Sequence, residues 1–213
     1  MIGTVQELLS PFTPEVPDLS IAIQENKEAY GRFIAEPLER GRGVTLGNAL
    51  RRTLLNSLPG TAITWVRIDG ALHEYSTIPQ LPEEVVEFLL KVKAIRLRSL
   101  ADRPGRLRIE VGGEGEVRAG DVMATADFEI VNPENHLATL DSAMARLSVE
   151  FNVEQGVGYQ PAIQEEGLPI GVLPVDAIFT PIRKSNFSVE AARAGHRSDL
   201  ERLIVEVWTD RTI

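Results

Sequence analysis

Cysteine is absent from the 213 residues, which removes disulfides, thiolate nucleophiles and Cys-based zinc sites and suits a reducing cytoplasm. Histidine occurs only as His73, His136 and His196, far apart and outside any HExxH run, so an imidazole metal centre has no local signature. No stretch offers about 18 uninterrupted apolar residues for a membrane span. The opening MIGTVQELLSPFTPE carries acids and a proline where an export signal needs a basic start and an apolar middle. Basic residues are outnumbered: 22 Lys plus Arg face 31 Asp plus Glu, a formal charge of −9. The averaged field repels phosphate, so direct nucleic-acid contact is not expected.

Catalytic signatures are also lacking. Gly41, Gly43 and Gly47 in GRGVTLG fit neither GxGxxG nor GxxxxGK[ST], and they read as turn glycines. No G-x-S-x-G elbow occurs, and Glu83-Glu84, Asp127 with Glu129, and Glu165-Glu166 read as helix-start or surface charges. The residues assign no catalytic group, no metal ligand and no cofactor. A small-molecule enzyme or a stand-alone nucleic-acid binder would each need a motif that the sequence does not carry.

What is present is a hydrophobic fraction of 43 %, enough to fill one large or two small cores. Residues 1–29 read as polar and irregular, and Tyr30 to Glu36 alternates as a strand that turns at Pro37. Thr45 caps a helix from Leu46 to about Leu58, stopped by Pro59-Gly60. Thr61 to Asp69 reads as a strand, and Pro82 opens a second helix that runs to about Lys93. IRLRSL, RLRIEV, DFEIV and RLSVEFNVE then read as short strands, followed by FTPIR, NFSVEAAR and LIVEVWT. On the first helix Leu46, Ala49, Leu50, Thr53, Leu54 and Ser57 share one face. Periodicity alone leaves open whether that stripe packs on the chain's own sheet or on another helix. Arg51 and Arg52 flank it, and Arg is a favoured interface anchor.

The run EPLERGRGVTLGNALRRTLLNSLPGTAIT, residues 36–64, closely resembles the signature of the bacterial RNA polymerase alpha subunits. The resemblance continues through IDGALHEYSTIP, PEEVVEFLLKVK, GVGYQPA and the long run from Val175 to Asp210, and is weaker at residues 1–28 and 99–151. It implies an α+β fold in two parts: an α/β dimerisation domain made of residues 1–58 and 175–213, and a mainly β domain, residues 59–174, inserted between them. It implies a non-catalytic scaffold of the transcribing nucleotidyltransferase, a homodimer that docks the beta and beta-prime subunits, with omega and sigma joining later. Leu46, Leu50, Thr53 and Leu54 would form the dimer seam. Asn48, Arg52, Leu55, Asp69, Gly70, His73 and Glu74 would face beta. Glu87, Lys93, Val175, Asp176, Ile178 and Thr180 would face beta-prime. The family pattern continues beyond Thr209 with an amphipathic helix, a linker and a small DNA-contacting domain, which implies that these residues are a portion of such a protein. Two departures stand out: Gln80-Leu81-Pro82 replaces a common Gly-Val pair before the second helix, and Arg211 replaces a common turn glycine. A side chain at 211 would be strained by a positive φ, so a different turn type is expected there.

Overall fold

Antiparallel sheets dominate the computed structural model, which describes residues 18–78, 81–123, 125–162, 169–194 and 197–213. Gln80, the Glu165-Glu166 pair and His196 lie outside these residues. The first part of the chain forms β1 (Ser20–Lys27), β2 (Tyr30–Glu39), α1 (Arg42–Asn56), β3 (Pro59–Ile68), α2 (Val85–Val92) and β4 (Leu97–Ser99). Next come β5 (Gly105–Gly112), β6 (Gly115–Arg118), β7 (Phe128–Ile130), β8 (His136–Leu140) and β9 (Arg146–Val157). The chain closes with β10 (Tyr159–Gln160), β11 (Val172–Pro174), β12 (Ala177–Ile178), β13 (Ile182–Ala194) and β14 (Arg197–Thr209).

A four-stranded sheet in the order β1-β2-β14-β13 takes its strands from both ends of the described chain. The intervening residues build a six-stranded sheet, β5-β9-β3-β4-β7 with β11 also on β3, and the two-stranded pairs β6-β8 and β10-β12. Strand β9 is the spine of the larger sheet because its sequence alternates. Leu147, Val149, Phe151 and Val153 are buried while Arg146, Ser148, Glu150 and Asn152 face away from that core. Its inward residues meet Val85, Phe88 and Val92 of α2 in one core. Each such side chain, fully buried, contributes about 1.5–3 kcal/mol of transfer free energy.

Several local expectations are corrected. Residues 20–27 form a strand, not an irregular segment. β1 is exposed along nearly all its length, so backbone pairing with β2 orders it without the buried alternation that sequence reading relies on. β2 does not end at Pro37 but reaches Glu39; the β2-β14 register shifts between Glu201 and Leu203, where a residue lacking an N–H is tolerated. Helix α1 begins at Arg42, four residues earlier than expected, and Thr45 is no cap: its hydroxyl donates back to the Gly41 carbonyl at 3.2 Å. Pro59-Gly60 starts β3, and Ser57 ends the helix. α2 starts at Val85, with Pro82 outside it. Phe179 to Pro181 lie outside any strand, and NFSVEAAR belongs to a strand that begins at Ile182.

At Arg211 the turn keeps a positive φ of 75° despite the side chain. Such a conformation costs a non-glycine residue about 1–2 kcal/mol, and the neighbours overdetermine it. Arg98, from β4, donates to the Arg211 carbonyl at 2.6 Å and the Thr212 carbonyl at 3.1 Å. The Thr212 amide and hydroxyl both donate to Asp210 Oδ1. These bonds tie the end of β14 to the larger sheet.

Candidate assembly surface

Helix α1 touches its own protein through glycines. Only Gly43 and Gly47 are buried along its length, and their spacing of four puts both on one face. A Cβ at Gly43 would lie 2.8 Å from Val189, and one at Gly47 would collide with the Phe187 ring. Neither site has room for a methyl group. With backbone against the sheet, Leu54 and Leu58 complete the contact by packing beside Leu203, Val205, Val207, Phe187 and Val189. Arg51 lies over the Phe187 ring at 5.8 Å from its centroid. The glycines read from sequence as turn residues are therefore a helix seat, apart from Gly41, which precedes the helix at φ 86°.

The flank beside this seat is left uncovered by the described residues. Leu46 and Leu50 are 39 % and 44 % exposed, and Thr53 is exposed beside them. Leu54, grouped with them in the sequence reading, is half-buried in the chain's own core. Arg52 and Leu55 are exposed and, with Ala49, Thr53, Asn56 and Ser57, line an open depression of about 610 Å³. Asn48 is also exposed, and its amide donates to the Val44 carbonyl at 3.1 Å. A second groove, about 480 Å³, runs between Leu46 and Thr45 of α1 and Leu19, Pro37 and Leu38.

The loop after β3 is held by its backbone: the Asp69 N–H donates to the Ser148 carbonyl and the Ala71 N–H to the Ile68 carbonyl, around Gly70 at φ 91°. This leaves Asp69, Gly70 and His73 exposed and Glu74 half-exposed. The His73 N–H donates to the Ser76 hydroxyl at 3.2 Å.

The residues matched to beta-prime fall into three groups. Glu87 is exposed on α2, and Ile178 and Thr180 are half-buried. Val175 is a core residue, 6 % exposed, so its side chain is committed to the chain's own interior and the expectation of a partner-facing Val175 side chain is corrected. Lys93 and Asp176 bond to each other, Nζ to Oδ2 at 2.6 Å. The other Asp176 oxygen accepts the Ala162 N–H at 2.8 Å, and Lys93 lies 5.8 Å from the Tyr159 ring centroid. The Lys93 ammonium, followed by the Ala162 N–H, holds the Asp176 carboxyl below the ordinary carboxylate value. These two residues form a clasp joining α2 to β10 and β12. Sequence spacing gave no sign of it, since 83 residues separate the partners.

Among the described residues no cluster of three His, Asp or Glu side chains is placed to hold a metal ion. No described helix is long and apolar enough to cross a membrane.

A profile of the RNA polymerase Rpb3/RpoA insert domain matches residues 66–180, more than half of the chain. The chain belongs to the RNA polymerase Rpb3/RpoA insert domain family. The expected kinship with RNA polymerase alpha subunits holds over nearly the whole sequence. The DNA-directed RNA polymerase subunit alpha of Symbiobacterium thermophilum is 49 % identical over 201 residues, covering 93 % of this chain and 64 % of that protein. The corresponding subunit of a Roseiflexus species is 52 % identical over 186 residues, 87 % of this chain and 58 % of that protein. That of Alkaliphilus oremlandii is 47 % identical over 201 residues, 93 % of this chain and 63 % of that protein. The chain spans less than two thirds of the length of these curated relatives. Within the insert-domain match lie α2, the Lys93–Asp176 clasp and the loop at residues 69–74; α1 lies before it.

Proposed function

We propose that this chain is an assembly scaffold of a DNA-directed RNA polymerase: it pairs with a second copy through α1 and docks the beta and beta-prime subunits, contributing no catalytic group. The observation that carries the reading is the asymmetry of α1. Gly43 and Gly47 are seated on the sheet while Leu46, Leu50 and Thr53, along the flank of that seat, are left exposed by the described residues. An apolar helix flank that the described residues leave uncovered suits an interaction surface, and two identical copies bring two identical faces to a two-fold axis. Kinship with polymerase alpha subunits supplies the context, including a cytoplasmic location and a complete enzyme that also holds omega and sigma.

The chain ends and the intervening residues divide the work in this reading. Residues 1–58 and 175–213 form the dimerisation domain; residues 59–174 form an inserted, mainly β domain. Asn48, Arg52 and Leu55, with Asp69, Gly70, His73 and Glu74, face beta. Glu87, Ile178 and Thr180 face beta-prime, and the Lys93–Asp176 clasp holds that surface in shape.

Two substitutions test the parts separately. Leu50→Asp puts a charge in the apolar seam and is expected to convert the dimer to monomers in size-exclusion chromatography with light scattering. Arg52→Ala leaves the dimer intact and abolishes co-purification with the beta subunit, because a partner carboxylate is left desolvated and unpaired. A dimeric Leu50→Asp, or normal beta capture by Arg52→Ala, contradicts the corresponding assignment.

A further inference from the structure

Helix α1 starts without a capping side chain of its own. Its N-cap is Gly41, so the amides of the first turn need acceptors from elsewhere. One residue supplies two. Glu201 Oε1 accepts the Gly41 N–H at 2.9 Å and Glu201 Oε2 accepts the Gly43 N–H at 3.0 Å. The carboxylate comes from β14, about 160 residues away in sequence, and also places a negative charge at the positive end of the helix dipole.

The position of Glu201 in its strand makes the arrangement specific. Leu203, Val205 and Val207 are the buried side chains of β14 beneath α1, and strand alternation puts residue 201 on their face. A glutamate thus ends an otherwise apolar stripe, at the place where the helix presents its unpaired amides. A Cβ at Gly43 would lie 2.9 Å from Glu201 Oε2 and 2.8 Å from Val189, so the residue that must lack a side chain is the one that donates the bond.

We infer that Glu201 is a positioning residue for assembly: it fixes where α1 begins and how the helix is rotated on the sheet, and so aims Leu46, Leu50 and Arg52 at their partners. This rests on the assembly reading above and adds to it a residue that itself touches no partner. With a glycine seat, α1 lacks large interlocking side chains along most of its contact, which leaves the bidentate cap as a fixed point at one end and Leu54 and Leu58 at the other.

The test compares the full chain with Glu201→Gln and Glu201→Asp. Gln is isosteric but offers one acceptor oxygen and turns an N–H₂ toward an amide donor; Asp keeps the charge and shortens the reach by one methylene. Three readouts are taken: amide hydrogen exchange at Gly41 and Gly43, the dimer dissociation constant by sedimentation, and capture of the purified beta subunit. Both variants are expected to exchange at Gly41 and Gly43 about tenfold to a hundredfold faster, while Leu203, Val205 and Val207 keep their protection. Dimer dissociation weakens by about tenfold and beta capture falls in step.

Fast exchange at Gly43 with unchanged dimer affinity and beta capture overturns the inference, and so does equal loss of protection at Leu203, Val205 and Val207, which would make Glu201 a general prop of the sheet. An Asp variant that behaves as wild type also overturns it, because charge alone would then suffice. A wild-type chain that neither dimerises nor captures beta removes the assembly reading itself; an assembled wild type with an unaffected Gln variant removes only the role of Glu201.

Discussion

The two α-helices among the described residues are held by opposite means. α2 buries Val85, Phe88 and Val92 in the large core, whereas α1 buries only Gly43 and Gly47 and rests on Phe187 and Val189 through its backbone. A helix anchored by large side chains spends its apolar face on its own protein. One anchored by glycines leaves Leu46 and Leu50 exposed. Under the proposed assembly the contrast means that α1 is mounted on the sheet for presentation, while α2 is a core element with Glu87 and Leu90 exposed on its outer side.

The contrast can be broken most forcefully from the α2 side. Phe88→Ala removes a side chain with no exposure and is expected to cost about 3–5 kcal/mol, read as a lower urea midpoint; a loss below about 1 kcal/mol would mean that α2 is not a core element. Gly47→Val should come next. Its branched side chain would push α1 off Phe187 at a cost of about 1–3 kcal/mol, and amide exchange along α1 should rise more than along β9.

A smaller effect is expected at Glu83. Its carboxylate accepts the Thr139 N–H at 3.1 Å and the Lys91 ammonium at 3.2 Å, tying the start of α2 to β8. Burial pushes this carboxyl up, but the Thr139 N–H and Lys91 together outweigh burial and hold it below its ordinary value. A lowered carboxylate stabilises fully above its unfolded-state value and loses that contribution as pH falls through the folded one. Glu83→Gln should therefore cost on the order of 1 kcal/mol near neutrality. The gap between wild-type and variant melting temperatures should narrow as pH falls below the ordinary glutamate value of about 4.5; a gap that widens on acidification contradicts the sign. The smallest effect belongs to Leu50→Ala. With its side chain on the uncovered face, the stability of the isolated chain should change by no more than about 0.5 kcal/mol, as measured by denaturant unfolding at concentrations below dimer formation.

How legible these features are in sequence follows from their physics. The strands that alternate, β5 and β9, can be read directly, because a half-buried strand writes its burial into every second residue. β1 cannot, since its side chains are mostly exposed and its order comes from backbone pairing. The leucine stripe on α1 is visible from periodicity, yet its sense is not: only the packing of Gly43 and Gly47 shows which face the sheet takes. A four-residue glycine spacing within a helical pattern was the available signal, and reading those residues as a turn displaced the start of the helix. Val175 was assigned by resemblance to a partner, and its burial depends on a core assembled from distant strands. Lys93 with Asp176 and Glu201 with Gly43 are pairs that only the fold brings together, so neither spacing nor composition could reveal them.

The absence of cysteine permits a direct test of the central claim, that the uncovered face of α1 meets its own copy. Single substitutions Leu46→Cys, Leu50→Cys and Thr53→Cys on α1, with Leu90→Cys on the exposed face of α2 as comparison, are oxidised and resolved by non-reducing electrophoresis. A symmetric disulfide forms only where two Cα atoms approach within about 7 Å, which for identical residues means close to the two-fold axis. The account predicts a covalent dimer from at least one α1 position and none from Leu90→Cys. Monomers from all three α1 positions, or crosslinking at Leu90→Cys alone, would contradict it.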